Sequence, residues 1–184
     1  KPINDMSDLK GVKIRIMENE LQLQQWKDYG ANPTPMAFTE LFTALQQKTV
    51  DAQDNGAELT WQTKFYEVQS HYTKHIYSPY LILMSKDKFD GLTPEQQEIV
   101  LKVSDEAVAY ERQRCDEYEQ TALDNIKNCG TMQYSDLTPE VKAEMVKACK
   151  NIKELAYKKV TDPSVVDLLY DEVAKAKEKF PEEG

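Results

Sequence analysis

Arg15 is the residue whose setting says most about chemistry. It lies in Val12-Lys13-Ile14-Arg15-Ile16-Met17, which alternates apolar and basic residues with the two-residue period of a half-buried strand. The other arginines, Arg112 and Arg114, fall in a helix-patterned stretch. A guanidinium on a half-buried strand needs an anionic partner, because an unpaired buried charge is costly. Its planar fork holds a carboxylate through two parallel hydrogen bonds, which lysine cannot copy. Two kinds of partner meet that need: an acidic ligand, or an internal carboxylate such as Glu18 or Glu40. Asn55 follows Asp54 at the end of a short strand, where open α/β sheets carry ligand residues, and its amide can both donate and accept. Asp54-Asn55-Gly56 also suits a plain turn. Phe38 suits an apolar cleft wall or a core position, as do Trp26, Trp61 and Tyr77.

No catalytic set assembles. His71 and His75 have the i,i+4 spacing of metal ligands only if helical, and Thr73-Lys74-His75 leads into a strand pattern. No Gly-x-Ser-x-Gly turn or glycine-rich phosphate loop is present. Cys115, Cys129 and Cys149 match no metal spacing. A Cys129–Cys149 disulfide is open to the sequence, with free, partly buried thiols the preferred expectation. The reading is therefore of a protein that is not an enzyme, with no cofactor and no metal.

The elements that must position Arg15 and Asn55 alternate in type. After the Arg15 strand, Glu20–Tyr29 has a helical pattern ended by Gly30, and Pro33-Thr34-Pro35-Met36 is extended by its prolines. Thr39 is expected to cap a helix carrying Leu41, Phe42 and Leu45. Val50–Asn55 reads as a short strand and Glu58–Val68 as a helix. Such alternation means an α/β architecture. Ile76–Ser85 is the longest strand candidate. In Leu92-Thr93-Pro94-Glu95-Gln96, Thr stands at N-cap, Pro at N1 and Gln at N3 of a long helix. Its pattern runs to Asn128, roughly 50 Å, with Gly130 suited to the left-handed stop. Leu101, Val108, Cys115 and Ala122 form one apolar stripe, and Ile99, Val103, Ala107 and Tyr110 a second, so this helix is expected to be gripped by two bodies or to pack in a bundle. Beyond it come a short strand near Thr131–Tyr134, a helix over Val141–Lys159 and a last helix over Val165–Phe180.

With 184 residues, 40% hydrophobic and 30% charged, the chain can bury a proper core. A net charge of −9 argues against nucleic acid as partner. The longest apolar run, Tyr80–Met84, is far too short to cross a bilayer. Lys1-Pro2-Ile3-Asn4 reads as the start of a processed or excised piece, with a signal peptide removed, so it gives no ground for a cytoplasmic location.

The stretch Asp8-Leu9-Lys10-Gly11-Val12-Lys13-Ile14-Arg15 strongly resembles the entry to the second lobe of TRAP-transporter solute receptors, the DctP family. The likeness continues through Gly30–Leu41, Ala44–Gln47, Val50–Asn55 and Lys64–Gln69, and reaches Ser78-Pro79-Tyr80 and Leu92–Glu95. It implies a periplasmic-binding-protein-like α/β lobe, a mixed sheet flanked by helices, with a long hinge-spanning helix. The domain reading is a ligand-binding second lobe over 8–75, a return strand and long helix over 76–128 that pack on a first lobe, and a strand and helices over 129–184 that complete the second lobe. By the same resemblance Arg15 grips a ligand carboxylate, Asn55 contacts the same ligand and Phe38 walls the cleft, with Tyr77 added to the set. The partners implied are a small organic acid and the membrane subunits of a TRAP transporter. The location implied is periplasmic or extracytoplasmic, with lipid anchoring of a full-length form.

The sequence departs from the family pattern at Gly56, where Pro is usual, and at Lys74, where Asn is common. Glu18, three residues after Arg15, sets a negative charge near the grip and favours a ligand that also bears an amine or hydroxyls. Dicarboxylates, keto acids, sialic acid, aromatic acids and ectoine-like solutes all suit the family. With the first lobe absent from the sequence, Tyr80–Met84 and one helix stripe are expected to drive self-association. The competing reading is an acidic helical interaction module with Arg15 in a structural salt bridge.

Overall fold

The computed structural model describes residues 2–75 and 80–180 and divides them into two compact units. One comprises Ile3–Asp54 with the chain from Leu137 onward, and the other is Asn55–Asp136 together with Pro2. These units cut the chain at 54/55 and 136/137, whereas the sequence reading divides it at 75/76 and 128/129.

The first unit is built on three short strands, β1 (Lys13–Ile16), β2 (Asn32–Pro35) and β3 (Ala52–Gln53), in the order β2-β1-β3. Both pairings are parallel, with Arg15 opposite Thr34 on one side and Gln53 on the other. Parallel neighbours need crossovers, supplied by α1 (Glu20–Asp28) and α2 (Phe38–Gln46). Asn19 caps α1, its side chain accepting from the Leu21 and Gln22 amides. Gly30 leaves α1 at φ +83°, a conformation that costs glycine little. The α2 start differs from expectation: Ala37 is the N-cap, without a side-chain bond, and Thr39 is the second residue of the helix. The chain arrives from the extended Pro-Thr-Pro segment and turns inward at Phe38, before Thr39 can cap.

Ile14, Ile16, Leu9, Trp26, Tyr29 and Ala31 form the core of this unit with Leu137, Val141 and Met145 of α6 (Pro139–Ala148). The helix expected over Val141–Lys159 is two, because Cys149, Lys150 and Asn151 interrupt it before α7 (Ile152–Lys159). α8 (Ser164–Lys179) follows.

The second unit pairs β4 (His71–Lys74) in parallel with β5 (Gln133–Asp136) and packs α3 (Ala57–Gln62) on the 35-residue α5 (Pro94–Asn128). α4 (Lys86–Asp90) is a single short turn of helix. The α5 start is a full capping box: Thr93 accepts from the Gln96 amide, and the Gln96 side chain accepts from the Thr93 amide. Gly130, at φ +74°, follows its C-terminus. Ala57, Ala122, Leu123, Ile126 and Met132 make the buried cluster, against which Trp61 and Tyr66 stack 4.4 Å apart.

Two expectations fail here. Glu58–Val68 is not one helix, since Lys64 takes φ +59° and a single 3-10 turn over Phe65–Glu67 replaces the rest. The strand expected over Ile76–Ser85 is absent where it is described: Tyr80–Ser85 has no regular structure, and Tyr80, Leu81 and Leu83 are 84%, 79% and 83% exposed. A strand requires a neighbouring backbone, and none of the described strands pairs with this segment. Only the C-terminal end of α5 is buried; Ile99, Leu101, Val103 and Tyr110 are exposed. No helix among the described residues is long and apolar enough to cross a membrane.

Candidate functional site

The carboxyl ends of β1, β2 and β3 converge in the first unit. The chain passes from β1 to the neighbour on one side, β2, and then crosses to the other side to form β3. The order therefore reverses at β1, and the crevice between β1 and β3 is where open parallel sheets take ligands. Arg15 stands on the central strand at this point. It is 3% exposed, and its Nε donates to the Met36 carbonyl oxygen at 3.0 Å. Its guanidinium lies 5.7 Å from the centre of the Phe38 ring. Burial lowers the Arg15 pKa from its ordinary value, while the charge of Asp54 acts in the opposite direction; an arginine so placed keeps its proton.

Neither internal partner weighed for Arg15 is used. Glu18 and Glu40 are exposed, and among the described residues no carboxylate forms an ion pair with Arg15. With Nε engaged by Met36, the two-pronged edge of the fork is Nη1 and Nη2.

Asp54 is the group the sequence reading passed over. Its Oδ2 accepts from Gln22 Nε2 at 2.8 Å and from the Trp26 indole Nε1 at 3.1 Å. Gln22 and Trp26 are one turn apart on α1, so they face the strand ends together. The same Gln22 accepts from the Met17 amide through Oε1 at 2.9 Å, which ties the segment leaving β1 to Asp54. The available signal was the i,i+4 pair of donors on the first helix, together with an acid at a strand end.

The structure brings Arg15 and Phe38 together, with the charge of Asp54 within electrostatic reach of the guanidinium. Phe38, 40% exposed, begins α2 and is not a core residue. Trp26 is buried in the core and meets Tyr29 edge to face at 5.4 Å. Asn55 is next along the chain from Asp54, in the other unit. Glu18 sits on the exposed bend between β1 and α1. Tyr77 lies outside the described residues. His71 is in a strand rather than a helix, and no cluster of potential metal ligands occurs among the described residues. All three cysteines are free thiols, so the Cys129–Cys149 bridge is not formed.

Comparison with known proteins gives a consistent family. Residues 1–159 match the family described as bacterial extracellular solute-binding protein, family 7. The 2,3-diketo-L-gulonate-binding periplasmic protein of Escherichia coli K12 is 40% identical over 138 residues, 74% of this chain and 42% of its own length. A TRAP periplasmic solute-binding protein from Ochrobactrum anthropi superposes with a TM-score of 0.84 at 33% identity, covering all of this chain and 57% of that one. One from Xanthobacter autotrophicus Py2, solved with bound β-D-galacturonate, gives 0.80 at 30% identity, covering 93% and 56%. The chain thus spans about half the length of these relatives.

Proposed function

The chain belongs to the family 7 bacterial extracellular solute-binding proteins, and we propose that it supplies the carboxylate-gripping part of a TRAP-type receptor for a small organic acid. The observation that carries this reading is Arg15: buried, held by Nε alone, and without an internal ion pair among the described residues. A guanidinium in that state is stabilised by a carboxylate arriving on Nη1 and Nη2. Phe38 walls the cleft, and Asn55, Glu18 and Tyr77 complete the set of ligand residues that the sequence implies. The ligand class is a hydroxylated acid such as a uronate or a keto-gulonate, in keeping with the relatives that bind galacturonate and diketo-gulonate. The receptor hands its ligand on unchanged, without catalysis, to membrane subunits of the transporter. It works outside the cytoplasm, with a lipid anchor as one means of retention.

We further place 8–75 and 129–184 in one lobe and 76–128 against the part of the receptor that the relatives carry beyond the matched stretch. The apolar exposure of Tyr80–Met84, Ile99, Leu101 and Tyr110 supports that placement. The chain on its own should self-associate through this surface; a clean monomer by light scattering, with no binding of an apolar dye, would count against it. The interaction-module reading is weaker, because the structural salt bridge it requires of Arg15 is not formed among the described residues.

Thermal unfolding with D-galacturonate, 2,3-diketo-L-gulonate and succinate tests the proposal. It is run on the chain alone and on the chain joined to the part of the Escherichia coli relative left uncovered by the match. At a hundredfold excess over Kd a ligand adds about 2.7 kcal/mol, a rise of roughly 5–10 °C for a chain of this size. No rise with any acid, in folded protein of either form, would overturn it.

A further inference from the structure

We propose that Asp54 is a specificity-determining residue of the Arg15 site, whose pinned negative charge disfavours a second carboxylate on the ligand. This rests on the receptor reading above. β3 pairs with β1 so that Gln53 stands opposite Arg15, and Asp54 is the next residue toward the carboxyl ends of the strands. The carboxyl ends of β1 and β3 therefore carry one cation and one anion, and the charge of Asp54 is felt at the Arg15 guanidinium. The anion cannot swing away, because the indole of Trp26 and the amide of Gln22 both donate to its Oδ2.

A ligand's first carboxylate binds Arg15 and meets the Asp54 repulsion as a fixed cost common to every acid. A second carboxylate adds a further like-charge repulsion, whereas a hydroxyl adds none. Asp54 is half-buried and Glu18 exposed, so the Asp54 charge is the less screened of the two and sets the preference. In the range between water and a half-buried cleft, one such repulsion is worth roughly threefold to thirtyfold in affinity.

The test uses the chain joined to its relative's uncovered part, as above, with calorimetric titration of D-galacturonate and succinate into wild type and Asp54→Asn. The Asp54→Asn substitution keeps an acceptor for Gln22 and Trp26 and loses the charge. The succinate-to-galacturonate affinity ratio should rise about threefold or more in Asp54→Asn. It should stay put in Trp26→Phe, which removes a hydrogen bond to Asp54 but not the charge. A general structural disturbance would weaken both acids together and leave the ratio alone. If Asp54→Asn does not fold, Asp54→Ser is the second neutral variant, with the same expected rise. An unmoved or falling ratio overturns this inference alone, and binding of neither acid to the wild type overturns it together with the receptor reading.

Discussion

Replacing Arg15 by Met separates the two roles a buried arginine can have. The substitution keeps an unbranched apolar stem of similar reach and removes the charge. Stability loses the charge-assisted bond from Nε to Met36, worth about 1.5–3 kcal/mol. It also loses the contact with the partly exposed Phe38 ring, about 0.5–1 kcal/mol. Against this, the folded state no longer holds a desolvated guanidinium, a relief of several kcal/mol. The terms nearly cancel, so Arg15→Met should unfold within about 1–2 kcal/mol of wild type. Ligand binding has no such compensation. Loss of a two-pronged pair with a carboxylate costs about 2–5 kcal/mol, roughly thirtyfold to several thousandfold in Kd. Arg15→Lys should recover only a small part of this, because an ammonium cannot present the fork. Chemical denaturation gives the first quantity and calorimetric titration the second. A variant destabilised by more than 3 kcal/mol that still bound acids normally would refute the reasoning, and would make Arg15 a structural cation.

Other consequences concern the remaining parts of the molecule. Ile126 is fully buried in the cluster of the second unit, so Ile126→Ala should cost about 2–5 kcal/mol in denaturant unfolding; a loss under 1 kcal/mol would mean that the cluster is loosely packed. The three thiols should react with iodoacetamide in a definite order. Burial raises the Cys129 pKa, but the Thr131 hydroxyl and the amides of Thr131 and Met132 outweigh it and leave the thiol below its ordinary value. The bond to Glu111 pushes Cys115 up to about 11, and burial pushes Cys149 up. Peptide mass mapping after brief alkylation at pH 8 should find Cys129 modified first, and labelling led by Cys115 would contradict the order. Asp167 accepts from the Tyr157 hydroxyl and pairs with Lys153, which together lower its pKa from 3.8. A depressed carboxylate stabilises the fold above its unfolded pKa, and that contribution disappears as pH falls through the folded value. Asp167→Asn should therefore flatten part of the decline in melting temperature between pH 5 and pH 2, and an unchanged acid limb would show that the pair contributes nothing.

What the sequence made legible was governed by local chemistry. The Thr93–Gln96 capping box and the left-handed Gly130 are decided by residues within one turn of each other, and both ends of α5 lie where those residues put them. Tyr80–Met84 shows the opposite case. Its apolar run has the composition of a buried strand, but a strand exists only where another backbone accepts its hydrogen bonds, and composition says nothing of that partner. The exposed half of α5 follows the same rule, since its stripes record a demand for cover and not the body that meets it. Arg15 was readable because a cation in an apolar alternation is a conflict that only a partner resolves. Asp54 was not, because its importance comes from Gln22 and Trp26, held on a helix more than twenty residues away in sequence and brought to it by the parallel pairing of β1 and β3. A charge on a strand announces itself in the sequence. The neighbour that tunes it appears only when the crossover connections bring the strand ends together, and for that reason specificity at this site is a property of topology before it is a property of any one residue.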